Sequence, residues 1–77
     1  MKWIKVSTTL KENNEKDIVY QAEGCPCKIE SRKRAIKHAN GVGFWWQTTY
    51  WVMKPDGSER QYYQMFKAKA AAEAYTP

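Results

Sequence analysis

Residues 43–66 read GFWWQTTYWVMKPDGSERQYYQMF and hold a strong turn signal, Pro55-Asp56-Gly57, between two aromatic-rich runs. Proline presets the first turn position, and glycine adopts the left-handed conformation that the third requires. The stretch therefore predicts a β-hairpin with a three-residue loop and a bulge. Placing Lys54 opposite Ser58 gives the pairs Tyr50–Tyr62, Trp51–Gln61, Thr49–Tyr63 and Trp46–Phe66.

This pairing sorts the aromatic rings onto two sides of the hairpin, because side chains alternate along a strand. One side is the predicted core and contains Phe44, Trp46, Tyr50, Val52, Tyr62 and Phe66. The other side mixes rings with amides and a hydroxyl: Trp45, Gln47, Thr49, Trp51, Met53, Gln61, Tyr63 and Met65. If it is open, Trp45, Trp51 and Tyr63 form a patch of the kind that marks interaction. The alternative is that the N-terminal strand region or a second copy covers it.

The chain before the hairpin predicts two strands and a helix. Residues 2–10 alternate, with Ile4, Val6 and Leu10 on one parity, and residues 17–22 form a second strand. The EGCPC segment, 23–27, is a break. ESRKRAIKHAN, 30–40, predicts a helix that begins at Ser31 as N-cap and stops at Asn40-Gly41.

After the hairpin, KAKAAAEAY, 67–75, predicts an alanine-rich helix without a good N-cap. The chain of 77 residues is long enough for a single domain, 1–77. We expect an α+β fold in the order ββαββα, a small antiparallel sheet with two helices on one face.

The charge is basic and uneven. The formal net charge is +5, and the sequence pI is about 9.3. Nine of the 13 lysines and arginines lie in residues 1–41. A basic half favours an anionic partner. Residues 1–10 lack the apolar run of a signal peptide and no stretch suits a membrane span, so we expect a cytoplasmic protein without membrane association.

The stretch from Lys28 to Lys37 carries five positive charges in ten residues. On a helix these charges could neutralise several phosphates, with Arg32, Lys33 and Lys37 as the candidate contacts. The alternative is an ordinary solvated helix face, which is what charge runs usually form.

Metal binding and catalysis have little support. Cys25 and Cys27 are separated by one residue and only His38 could add a ligand, whereas structural zinc sites need four ligands with wider cysteine spacing. The chain has no phosphate-cradling glycine loop and no nucleophile elbow. We expect a protein without metal or cofactor that is not an enzyme.

The segment YWVMKPDGSERQYYQMFKAKAAAEAY, 50–75, has a strand, an Asp-Gly turn, a strand ending in aromatics and a helix ending in Ala-Glu-Ala-aromatic. Residues 44–75 thereby resemble the sheet-plus-helix DNA-binding domain of ethylene-response factors and of the arm-binding domains of tyrosine integrases. In that family the sheet enters the major groove. The resemblance implies that Trp45, Trp51 and Arg60 make the contacts.

Together these features predict a small basic binding protein whose partner is nucleic acid, of the accessory or regulatory kind found in phages and mobile elements. The alternative is a protein-interaction module or inhibitor that uses the aromatic sheet face, including as a homodimer. The candidate binding residues are Trp45, Trp51, Tyr63, Arg60, Arg32, Lys33 and Lys37.

Overall fold

Five antiparallel strands and one helix make up the part of the chain that the structure, a computed structural model, describes, residues 1–75. The strands are β1 (Trp3–Leu10), β2 (Lys16–Ala22), β3 (Lys28–Lys37), β4 (Phe44–Met53) and β5 (Glu59–Tyr62). They lie side by side in chain order, each antiparallel to the next. A short 3₁₀ turn, Glu12–Asn14, joins β1 to β2, and the helix α1, Met65–Glu73, follows β5.

The expected order ββαββα, with two helices on one face, is wrong because residues 28–37 form a strand instead of the first helix. Their side chains alternate: Ile29 and Ser31 are buried, while Glu30 and Arg32 point to the opposite side of the sheet. The predicted helix stop at Asn40-Gly41 lies in the hairpin loop between β3 and β4. There the Gly41 N–H donates to the carbonyl oxygen of His38 at 2.9 Å.

The hairpin at Pro55-Asp56-Gly57 has the predicted loop. The Gly57 N–H donates to the Lys54 carbonyl at 3.0 Å, and the Lys54 N–H donates to the Ser58 carbonyl at 2.9 Å. Gly57 has φ of +91°, as the bulge requires. The pairs Tyr50–Tyr62 and Trp51–Gln61 are confirmed.

The two outer pairs of that hairpin are wrong, because β5 ends at Tyr62. Thr49 therefore has no partner at Tyr63 in the sheet. Phe66, expected opposite Trp46, lies in α1 instead. The helix predicted over 67–75 is present and begins two residues earlier, at Met65, without a side-chain cap.

The two N-terminal strands are confirmed, but the side chains of β1 do not alternate regularly along the whole strand. Its pairing with β2 shifts between Lys5 and Ser7, as in a β-bulge. Ile4 and Leu10 therefore point to opposite sides of the sheet, and both are exposed.

The core lies where α1 packs on one side of the sheet. Ile29 and Val52 are opposite each other on β3 and β4 and are completely or almost completely buried. Ala68 and Ala72 of α1 are buried against them, and their small side chains let the helix approach closely. We call the side of the sheet that carries α1 the helix side and the opposite one the helix-free side.

The helix covers only one end of the helix side. Ten-residue strands span about 33 Å, whereas a nine-residue helix spans about 14 Å. We call the uncovered end, near the loop between β3 and β4, the distal end. Three residues predicted to be core are exposed. Phe44, by 55%, and Trp46, by 39%, lie at the distal end, which α1 does not reach, and Phe66, by 66%, lies in α1 itself.

Candidate nucleic-acid interface

Strand β3 carries cations on both sides of the sheet. Lys33 and Lys37 share the parity of the buried Ile29 and therefore lie on the helix side. Arg32 and Arg34 have the other parity and lie on the helix-free side. The five positive charges that the sequence placed on one helix thus do not form a single surface.

The arginines on the helix-free side are already paired with acidic groups. Arg34 donates from Nη1 to Asp17 Oδ1 at 2.6 Å and from Nη2 to Oδ2 at 3.2 Å. Arg32 donates from Nε to Glu30, and its Nη2 lies 3.6 Å from Glu59. Each guanidinium therefore has local carboxylate compensation, which reduces its capacity to attract phosphate.

The Asp17–Arg34 pair shifts the titration of both partners. The hydrogen bond from Arg34 holds the pKa of Asp17 below its ordinary value, although burial opposes the shift. The same hydrogen bond raises the pKa of Arg34. The charged forms are thus the stable forms in the folded protein, which fits a structural role for this pair.

The Trp51 ring is less available for stacking on a partner than the sequence suggested. The Arg32 guanidinium carbon lies 4.5 Å from the centre of its ring, within cation–π range. Its indole N–H donates to the Thr49 hydroxyl at 3.1 Å. The side chain lies on the helix-free side as predicted, but it is half-buried, and stacking on it would displace Arg32.

The other two rings of the predicted patch are exposed at separate places in the chain. Trp45 is 44% exposed at the distal end of the helix-free side, with its ring 4.8 Å from that of His38. Tyr63 follows the end of β5, is 67% exposed and lines a shallow pocket with Arg60 and Lys67. Strand β1 lies in the same sheet as β4, so it does not cover these rings.

Arg60 does not share a side with the tryptophans that the resemblance pairs with it. It lies opposite Val52 in the β4–β5 register and so belongs to the helix side. Its guanidinium carbon is 5.7 Å from the centre of the Tyr62 ring. Trp51 has the opposite parity, so one flat contact surface cannot include both Arg60 and Trp51.

The distal end of the helix side combines cations with exposed rings. The Lys33 ammonium lies 4.9 Å from the centre of the Trp46 ring, and Lys37 is directly opposite Phe44. Phe44 and Trp46 meet edge to face at 5.6 Å. Lys16, on β2, is directly opposite Lys33. We call Lys16, Lys33, Lys37, Phe44 and Trp46 the lysine–aromatic surface.

No ion pair within residues 1–75 involves the three lysines of the lysine–aromatic surface. Lys33 and Lys37 are exposed, and Lys16 is half-buried. This contrasts with the arginines of the same strand, both of which have carboxylate partners. Lys16, Lys33 and Lys37 therefore place positive charge that has no ion-pair partner within residues 1–75 beside exposed aromatic rings.

A groove of about 620 Å³ runs along this surface. Its sheet wall consists of Ala35, Lys37, Phe44 and Trp46, and its other walls are Asn13 and Glu15 of the β1–β2 connection and Gly41 and Gly43 of the β3–β4 loop. Glu15 Oε2 accepts a hydrogen bond from the Ala35 N–H at 3.2 Å. That contact fixes the β1–β2 connection against β3, so the groove has two defined walls.

Sequence reasoning selected Lys33 and Lys37 by charge but assigned Phe44 and Trp46 to the core and did not select Lys16. The apolar residues of KIESRKRAIK, Ile29, Ala35 and Ile36, do not alternate, so its strand conformation is not visible in its own pattern. The signal that was missed is the Asn-Gly pair at 40–41, which is typical of hairpins as well as of helix ends.

The two cysteines belong to the core. Cys27 is fully buried, which raises the pKa of its thiol, and Cys25 donates from Sγ to the Ala72 carbonyl at 3.5 Å. Residues 1–75 contain no cluster of three or more histidine, cysteine or acidic side chains arranged to hold a metal ion. In the same range no helix is long and apolar enough to cross a membrane.

Comparison of the chain with protein-family models, with curated proteins and with solved structures finds no match.

Proposed function

We propose that this protein binds nucleic acid through the lysine–aromatic surface. The observation that carries the proposal is the separation of charges on β3: the arginines have acidic partners on the helix-free side, and the lysines beside Trp46 and Phe44 have none within residues 1–75. Lysine ammonium groups next to exposed rings provide both contacts that a nucleic acid offers, phosphate and base.

The Lys16–Lys33 pair gives independent support for an anionic partner. Like charges directly opposite each other on neighbouring strands destabilise a sheet. Here the two lysines face each other across β2 and β3 on the helix side. A phosphate between them would relieve the repulsion, and the net charge of +5 adds a long-range attraction of the same sign.

The family resemblance supports the same class of partner. The resemblance covers residues 44–75, which form β4, β5 and α1. The resemblance would place Trp45, Trp51 and Arg60 at the contact. The paired charges around Trp51 favour the lysine–aromatic surface instead, because phosphates would have to displace acidic side chains there.

The test is a titration of labelled single- and double-stranded oligonucleotides at several salt concentrations. We expect Lys33→Gln and Lys37→Gln each to lower the slope of log K against log salt by about 0.7 to 0.9 for every phosphate that the variant no longer neutralises. Lys28→Gln is the matched control, because Lys28 is exposed on the same strand but lies on the helix-free side. Equal effects of all three substitutions, or no binding at low salt, would contradict the proposal.

A protein partner on the helix-free side is the second candidate. On that side Arg32 and Arg34 are balanced by acidic groups, and Ile4 and Trp45 are exposed by 52% and 44%. Such a mixture of aromatic, apolar and neutralised groups suits a protein interface, including one with a second copy. Association that is independent of salt and abolished by Trp45→Ala would favour this candidate over nucleic acid.

A further inference from the structure

We infer that the lysine–aromatic surface takes an unpaired nucleic-acid strand, with one base in the groove against Trp46 and phosphates at the flanking lysines; this inference rests on the proposed function. Four features carry it: the exposure of the Trp46 ring, the placement of the lysines, the size of the groove and the polar residues that line it.

The ring of Trp46 is available for stacking. The ring is 39% exposed, and the Lys33 ammonium lies 4.9 Å from its centre. A base that stacks on that face takes the place of Lys33, which has no ion-pair partner within residues 1–75 and can turn to a phosphate, whereas Arg32 over Trp51 is held by Glu30 and Glu59. Phe44 supports the indole edge to face, with an interplanar angle of 88°. In a duplex each base is covered by its neighbours, so a protein ring of this kind stacks on an unpaired base.

The lysines bracket Trp46 along the strand direction. Trp46 pairs with Ala35 in the β3–β4 register, and the next helix-side positions of β3 on either side are Lys33 and Lys37. A base stacked on Trp46 therefore has an ammonium towards each end of the sheet. Since each nucleotide is linked through a phosphate on both sides, this arrangement suits a strand that crosses the groove.

The groove also has the size and polarity for a base. Its volume of about 620 Å³ lies within the usual range of about 300–1,000 Å³ for small-ligand sites. The residues that line it include Asn13, which has an amide side chain, and Glu15, which has a carboxylate. Both are groups that hydrogen-bond base edges, and a carboxylate accepts from the exocyclic amino group of cytosine.

The experiment compares two neighbouring tryptophans on opposite sides of one strand. Trp46→Ala removes the helix-side ring, and Trp45→Ala removes a ring of similar exposure on the helix-free side. Single-stranded DNA, single-stranded RNA and a DNA duplex of the same sequence are titrated at one fixed, low salt concentration. Circular dichroism establishes that each variant folds, and Trp46→Phe tests whether a smaller ring restores binding.

We expect Trp46→Ala to weaken single-strand binding roughly 5- to 150-fold, while Trp45→Ala binds like the unmodified protein. Trp46→Phe should recover most of the affinity, and the duplex should bind more weakly than either strand. Comparison of single-stranded DNA with single-stranded RNA shows whether deoxyribose or ribose is preferred. If Trp46→Ala does not fold, Trp46→Leu takes its place: it keeps a large apolar side chain but has no ring, so we expect a similar loss of single-strand binding.

The possible failures are distinguishable. Equal losses of affinity in Trp45→Ala and Trp46→Ala, or preference for the duplex, would overturn the unpaired-strand inference and leave nucleic-acid binding standing. Competition by polyglutamate as effective as that of an oligonucleotide with equal charge would also overturn it, because polyglutamate offers no bases. Absence of binding to all three nucleic acids would remove the proposed function itself.

Discussion

At the scale of single residues, Asp17 links three parts of the chain. Its side chain is only 13% exposed, accepts two hydrogen bonds from Arg34 on β3 and lies 3.3 Å from the Lys11 ammonium. The bonds from Arg34 lower the pKa of Asp17 despite the opposing effect of burial. Asp17 therefore contributes stability as a carboxylate and loses that contribution when it is protonated.

Asp17→Asn should lower the free energy of unfolding by roughly 1–2 kcal/mol near pH 7, because hydrogen bonds to charged groups are worth about that much when partly exposed. The folded-state pKa is depressed, so the contribution is fully present above the unfolded value of about 3.9 and is lost as pH falls through the folded pKa. Denaturant unfolding from about pH 7 to pH 2 should therefore show the two proteins converging in acid.

The control for this titration is Asp56→Asn. The pKa of Asp56 is lowered by hydrogen bonds from the Ser58 hydroxyl and N–H, but the residue is exposed in the β4–β5 loop. It does not join separate strands. A constant difference between Asp17→Asn and the unmodified protein at every pH would show that the Asp17 charge has no part in stability.

At the scale of elements, the β4–β5 loop fixes the register of β5 against β4, which places Tyr62 opposite Tyr50 and Gln61 opposite Trp51. Gly57 has φ of +91°, and a Cβ built there meets no atom within 4 Å. Any cost of a side chain at Gly57 therefore comes from the backbone conformation and not from a clash.

Gly57→Val should destabilise the protein by roughly 1 kcal/mol or more, because a β-branched residue rarely adopts positive φ. Gly57→Asn is the matched control and should cost less, since asparagine tolerates the left-handed conformation. Thermal unfolding of the two variants measures the difference. Identical melting temperatures for Gly57→Val and the unmodified protein would contradict the strained turn.

The elements that sequence predicted correctly are those set by local chemistry. The Pro-Asp-Gly loop and the alanine-rich helix depend on residues that are neighbours in the chain. The conformation of strand β3 does not follow from neighbouring residues in this way, because Ser31 and the spacing of Ile29, Ala35 and Ile36 also fit a helix. Its strand conformation is stabilised by pairing with β2 and β4 and by the Asp17–Arg34 contact. These contacts join residues that belong to different strands.

The same limit applies to the candidate site. Charge alone identified Lys33 and Lys37, because a basic run is visible in any conformation. The exposure of Trp46 depends on how many helices cover the sheet, and the pairing of Arg32 with Glu30 and Glu59 depends on the register of β3 with its neighbours. Neither can be deduced from residue spacing along one strand.

At the scale of the whole molecule, the sheet is long and unevenly supported. The molecule measures 45 × 21 × 21 Å, and its buried cluster lies where α1 packs. Pairing with β2 extends along β3 only to Lys33, and pairing with β5 involves only residues 50–53 of β4. Residues 34–37 and 44–47 therefore form a two-stranded ribbon at the distal end, and this ribbon carries Trp46, Phe44 and Lys37.

An isolated two-stranded hairpin is marginally stable in water, whereas strands under a helix open only with the whole domain. We therefore expect native-state hydrogen exchange to be graded along the sheet. Hydrogen-bonded amides near Ile29 and Val52 should exchange through global unfolding, and those of the two-stranded ribbon should exchange through local opening that depends little on denaturant. Exchange measured by NMR at several low denaturant concentrations separates the two classes.

Addition of single-stranded DNA should slow exchange in the ribbon selectively, because a strand held across Lys33, Trp46 and Lys37 stabilises the closed form. Equal protection along β3 and β4 in the free protein would contradict the uneven support.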